Sequence, residues 1–189
     1  MSILVFIPIP DYMKEKWVQL IQLLKSAESV RFPRCVRPAN AVGNPELVLF
    51  NDGSNDAMCT VAYLRWKLDN GEYECTLWTA KTRVTPLKKT TIPRIEMTSA
   101  VMSTRLCKTI NEHGGLEFEN TYFILDLART MALMKKNTVA LKEFIGNRVL
   151  EALEVAQPDQ FFHVKSSDNI ADLGTRMDAT PANIDLGSS

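Results

Sequence analysis

Residues 47–50 are four apolar side chains in a row, Leu-Val-Leu-Phe, and they run directly into Asn51-Asp52-Gly53-Ser54. A short apolar run closed by turn residues suits a strand buried on both faces in the middle of a sheet. Asp52 then stands at the end of that strand, where pairing stops and a carboxylate can face a cleft. Asn-Asp-Gly also suits a plain hairpin turn stabilised by Asp52, and on this stretch alone that is the commoner reading. Ahead of it, residues 11–29 predict an amphipathic helix, with Asp11 as cap and Met13, Trp17, Leu20, Ile21 and Leu24 on one stripe. Such a stripe packs on its own domain or docks on a neighbouring protein domain. Pro33, Pro38 and Pro45, interleaved with Arg31, Arg34 and Arg37, mark a linker. The shift in composition near residue 45 divides an N-terminal helical extension (1–45) from the main domain (46–178), and a small polar tail (179–189) follows.

Downstream, residues 58–68 predict a second strand, Asp69-Asn70-Gly71-Glu72 a hairpin turn, and residues 73–80 a third strand. Three antiparallel strands then form a meander. Residues 81–94 contain Lys81, Arg83, Lys88, Lys89 and Arg94 and no acid. Such a run is either a solvated loop or a segment that tracks a polyanion backbone. Pro93 opens a helix that runs to about residue 112, before Gly114-Gly115, with Glu96 in its first turn. An acid there either complements the helix dipole or serves as a metal ligand. Residues 121–125 form a fourth strand that ends directly in Asp126. A short helix (128–134), a longer one (138–155), a fifth strand (161–164) and a last helix capped by residues 166–169 complete the order, with Asp172 early in that last helix. Asp168 and Asp172 also suit ordinary helix-start acids.

Charge narrows the function classes. Lys and Arg total 22 and Asp and Glu total 22, so the formal net charge is zero. That excludes a histone-like or tail-driven nucleic-acid binder and leaves room for a local basic patch. Cys35, Cys59, Cys75 and Cys107 are widely spaced, and the only histidines are His113 and His163, which makes a poor zinc pattern. No apolar run approaches bilayer-spanning length, and Pro8 and Pro10 break the apolar start. An intracellular setting, cytoplasmic or nuclear, with free thiols is the expectation.

Asp52, Glu96, Asp126 and Asp172 each fall at the end of a strand or the start of a helix. Four carboxylates in one place repel unless cations neutralise them. Hard divalent ions with oxygen ligands are the natural answer, and a pair of them supports phosphodiester cleavage without a general-base histidine. Five blocks resemble the ribonuclease H region of Pao/BEL-type LTR-retrotransposon polyproteins. They are Leu49-Phe50-Asn51-Asp52-Gly53-Ser54, residues 80–89, Thr91-Ile92-Pro93-Arg94-Ile95-Glu96, residues 144–149 and Asn169-Ile170-Ala171-Asp172-Leu173-Gly174-Thr175-Arg176. The leading helix and Pro33-Arg34-Cys35 resemble the segment joining reverse transcriptase to that region.

The resemblance implies a ribonuclease H-like α/β fold, with a mixed five-stranded sheet made of the meander plus two parallel strands, flanked by helices. It implies an Asp52-Glu96-Asp126-Asp172 site holding two Mg²⁺ (or Mn²⁺) ions, with Asp52 bridging them. Glu96 and Asp126 hold the ion on the leaving-group side and Asp172 the ion carrying the attacking water. The implied substrate is the RNA strand of an RNA–DNA hybrid, read partly through 2′-hydroxyls, with Ser54, Lys81, Arg83, Lys88, Lys89, Arg94 and Asn169 as contacts. Leu125-Asp126-Leu127 stands where the family usually has Thr-Asp-Ser. His163 falls inside a strand and is read as structural. Two functions remain open: a metal-dependent endoribonuclease, or a domesticated module that binds protein or nucleic acid without cutting. An integrase-type nuclease fits poorly, because its acid order and closing block differ. The chain reads equally as a polyprotein segment or as a stand-alone descendant.

Overall fold

The computed structural model describes residues 10–28, 31, 35–87, 90–126, 128–135 and 141–176. It divides into two compact units, one formed by Cys35–Met177 and the other containing the N-terminal helix. That helix, α1, spans Asp11–Ala27, and Lys14 pairs with Asp11 across one turn.

The larger unit begins with three antiparallel strands: β1 (Ala41–Gly53), β2 (Ala57–Leu68) and β3 (Tyr73–Val84). Helix α2 (Ile92–His113), β4 (Thr121–Leu125), α3 (Ala128–Met134), α4 (Glu143–Leu153) and β5 (Phe161–His163) follow. The strands form one mixed sheet in the order β3-β2-β1-β4-β5. β1 is central, antiparallel to β2 and parallel to β4, and β4 is parallel to β5. This is the sheet of a ribonuclease H-like fold, three meander strands extended by two parallel ones.

The register explains why the apolar run sits where it does. Leu47 and Leu49 are fully buried and face a core shared with Met97, Val101, Phe123 and Val149. Burying side chains of this size contributes about 1.5–3 kcal/mol each. α2, α3 and α4 all contribute to that one core. On the opposite face, Val48, Phe50, Tyr63, Tyr122 and Ile124 line an open groove of about 760 Å³.

Several elements differ from the sequence expectation. β3 continues to Val84, so Lys81 and Arg83 lie on an edge strand rather than a loop, and they pair with Thr60 and Met58 of β2. Nothing in residues 81–84 stops a strand, because ladder bonds to β2 outweigh their polarity. The helix expected from residue 138 begins at Glu143, with Lys142 extended as its cap residue; residues 136–140 lie outside the described set. In place of a last α-helix there are two short 3₁₀ turns, Ser166–Asp168 and Ile170–Gly174. Asn169 caps the second through its side chain, which accepts from the Ala171 N–H. A polar stretch with few apolar side chains cannot nucleate a longer helix here.

Gly53 sets the approach of α2 to the sheet. A Cβ at this position would lie 3.0 Å from Ile95 Cγ2 and 3.3 Å from the Glu96 nitrogen. Gly53→Ala should therefore push the start of α2 away from β1 and destabilise the fold by about 1–3 kcal/mol. Thermal or urea unfolding of the variant checks this, and an unchanged midpoint would show that the two elements can separate freely.

Candidate active site

The strand pairing brings Asp52 and Asp126 together. Asn51 and Leu125 form the last parallel rung between β1 and β4, and each is followed directly by an acid. Neighbouring strands lie about 4.8 Å apart, and opposed residues point to the same face. Both carboxylates therefore leave the sheet side by side at its carboxyl edge. α2 supplies the third acid. Because the helix starts at Ile92, Glu96 is its fifth residue and opens the second turn, one residue further in than the sequence suggested. That position weakens the helix-dipole reading and aims the side chain at the strand ends. One ligand oxygen each from Asp52, Glu96 and Asp126 lies within 4.8 Å of the others.

Hydrogen bonds from neutral groups fix this arrangement. The Ser99 hydroxyl donates to the Asp52 carbonyl at 2.6 Å and ties α2 to the end of β1. Asn51 donates to the Ile124 carbonyl at 3.2 Å. Ser166 donates to Asp126 Oδ2 at 3.0 Å, and Thr175 donates to Asp52 Oδ2. No Lys or Arg is ion-paired with these three acids among the described residues. Burial, followed by the repulsion of Asp126 and Asp52, pushes the Glu96 carboxyl up to about 8. Burial is also the main cause that raises Asp52, with Asp126 and Asp172 adding to it and the Thr175 hydrogen bond opposing.

Asp172 is placed differently. It lies in the Ile170–Gly174 turn, near enough to raise Asp52, but outside the cluster of three, and it pairs with Arg176. Among the other expected site residues, Lys81 and Arg83 are exposed on β3. Lys88 and Lys89 lie outside the described residues. Ser54 is turned inward, donating to the Thr175 carbonyl at 3.0 Å and accepting from the Ala57 N–H. Asn169 is 3% exposed and donates to the Asn51 carbonyl. These last two support the site's backbone. The His163 ring lies 2.9 Å from the Asp126 carbonyl oxygen.

Arg94 stacks on Phe144 at 4.7 Å, and Arg148 of α4 stacks on the same ring at 3.9 Å. The three line a cavity of about 330 Å³ with Thr90 and Pro86, and no acid among the described residues lines it. Arg148, Phe144 and Thr175 fall inside blocks that resemble the family, but none of them was named as a site residue from the sequence. The spacing of Phe144 and Arg148, four apart on a helix, was the available signal for the first two. Thr175 was marked only by its place in the block of residues 169–176.

A carboxylate set with no cationic partner among the described residues, destabilised by its own charge, fits a hard divalent cation. Strand order, acid positions and this donor set define a ribonuclease H-like domain. The chain belongs to the Pao retrotransposon-like RNaseH-like domain family, which it matches over residues 7–127. The match includes Asp52, Glu96 and Asp126; Asp172 lies beyond it. Among solved structures, the chain is similar to an N-terminal RNase H domain from Mycobacterium tuberculosis, solved as a fusion with maltose-binding protein. Identity is 13%, with 69% of this chain and 91% of that one covered and a TM-score of 0.47. It is also similar to RNase H1 from Halobacterium salinarum, at 11% identity, covering 68% and 91%, with a TM-score of 0.38. No curated protein matches the chain. No helix among the described residues is long and apolar enough to cross a membrane.

The raised Glu96 gives a signed pH dependence. Below about pH 4.5 the carboxyl is protonated in folded and unfolded chains, and its full contribution is present. As pH rises towards about 8 the unfolded chain ionises first, so the metal-free fold loses stability through this window. Urea unfolding in a chelator at both ends of the window should show a loss on the order of a few kcal/mol for the native chain. Glu96→Gln should flatten that slope, and parallel slopes would contradict the shift.

Proposed function

We propose that this domain is a metal-dependent endoribonuclease that cuts the RNA strand of RNA–DNA hybrids. The observation that carries the reading is the convergence of Asp52, Glu96 and Asp126 within 4.8 Å with no Lys or Arg ion-paired to them among the described residues. Asp52, Glu96 and Asp126 would hold Mg²⁺ or Mn²⁺, and Asp172 would join them at a second ion. Such ions, when bound, activate a water and stabilise the leaving oxygen of a phosphodiester. The chain's own part is to orient the carboxylates through neutral donors and to hold the nucleic-acid backbone. Lys81 and Arg83 offer exposed cations along β3, and Arg94 and Arg148 offer two guanidinium groups on one ring. Phosphate contacts of this kind position a duplex without reading its sequence.

One observation favours a second reading, a module that binds hybrids without cutting them: Asp172 is already paired with Arg176. Cleavage of a labelled hybrid with Mg²⁺ or Mn²⁺ separates the two. Native protein should cut, and Asp52→Asn should lose at least about 100-fold in rate, as when a preorganised electrostatic group is removed. Binding by both proteins with cutting by neither would favour the scaffold.

Affinity for the hybrid should also fall with salt. In the Asp52→Asn background, Arg148→Gln should weaken binding and lower the slope of log affinity against log salt by about one. A slope equal to that of the parent would remove Arg148 from the interface.

A further inference from the structure

Residues 169–175 close over the carboxyl end of β1 and grip it at several points. Asn169 donates to the Asn51 carbonyl at 3.0 Å and accepts from the Ala171 N–H at 3.2 Å. Gly174 lies so close to Cys59 of β2 that a Cβ there would collide with the sulfur. Thr175 is 3% exposed; its carbonyl accepts from Ser54 and its hydroxyl donates to Asp52 Oδ2. The segment that carries Asp172 therefore also holds Asp52.

Thr175 has the chemistry to orient that carboxylate. Its β-branch stiffens χ1, so the hydroxyl has few directions open to it. The Asp172 carbonyl, 3.1 Å from the hydroxyl, already accepts from the Thr175 N–H. An ionised carboxylate is the stronger acceptor of the two, so the single hydroxyl proton goes to Asp52. The Gly53 N–H also donates to the Asp52 carboxyl. Aspartate χ2 is otherwise broad, and only part of its range leaves an oxygen facing Glu96 and Asp126.

We propose that Thr175 is a positioning residue, whose hydroxyl fixes the Asp52 carboxylate in the orientation that completes a divalent-cation cluster with Glu96 and Asp126. The inference rests on the hydrolase reading only in that the cluster takes a cation. Its test is Mn²⁺ affinity by calorimetry on the full chain without nucleic acid, followed by cleavage kinetics. Thr175→Val keeps the shape and removes the donor, and should weaken Mn²⁺ binding about tenfold or more, as loss of a ligand's supporting hydrogen bond does. Thr175→Ser should stay within about twofold of native, because the donor remains. In cleavage, Thr175→Val should lower kcat at limiting Mn²⁺, recover at saturating Mn²⁺ and leave KM unchanged. If Thr175→Val does not fold, Thr175→Ala supplies the same comparison.

Native affinity in folded Thr175→Val, or equal damage from Thr175→Ser, would overturn the positioning role alone. Weakened Mn²⁺ binding in Thr175→Val, with no cleavage by any form, would overturn the hydrolase reading and leave the positioning role standing. A native chain that binds no Mn²⁺ would overturn both.

Discussion

The structure depends on the repulsion between carboxylates that a parallel strand pair sets side by side. Once Asn51 and Leu125 share a rung, strand spacing leaves Asp52 and Asp126 no means of avoiding each other. α2 then adds Glu96, which is 8% exposed. Desolvation and like charge act together, so the ionised cluster is costly in the bare fold. A chain selected for stability alone would place an arginine there or replace an acid. Instead, among the described residues, the partners within hydrogen-bond reach are hydroxyls and a backbone N–H, from Thr175, Ser166 and Gly53. Neutral donors orient a carboxylate without cancelling its charge, and the remaining charge is what a cation would meet.

The scaffold around the cluster resists the relaxation that this repulsion favours. α2 cannot drift from the sheet, because Ser99 bonds the Asp52 carbonyl and Gly53 lets the two backbones approach closely. Small polar residues along the helix serve the same end: Ser103 and Thr104 return their hydroxyls to carbonyls three residues back. They bury little volume and leave no unmatched donor, so the helix can be enclosed on most sides. Among the described residues, Arg94 is kept apart from the three clustered acids. Arg94 precedes Glu96 by only two residues, yet its guanidinium is drawn to the Phe144 ring.

Much of this was legible in the sequence wherever periodicity and turn chemistry agree. The meander follows from Leu47 to Phe50 and from the Asn70-Gly71 turn, and β4 and α3 appear at their expected bounds. The three clustered acids were legible because each follows an apolar run or a proline-started helix. The ends of elements were not. β3 outruns its apolar residues because edge pairing to β2 sustains Lys81 to Val84, a tertiary effect with no local signal. Residues 166–174 contain helix-start chemistry without an apolar face, so they settle as 3₁₀ turns. The contacts of Thr175 with Asp52 and of Arg94 with Phe144 join distant parts of the chain, and no spacing rule announces such contacts.

Asp172 shows why the fourth acid must be weighed separately from the other three. It sits on a short turn rather than a strand end, with its side chain 22% exposed. Arg176, one helical turn on and 57% exposed at its side chain, meets it where solvent screens the pair. A partly exposed ion pair of this kind contributes about 0–1 kcal/mol and exchanges readily. Releasing Asp172 towards a cation beside Asp52 therefore costs little compared with the repulsion a cation would relieve. The pairing with Arg176 is thus compatible with a cluster of three that is built in advance and a fourth acid recruited on loading.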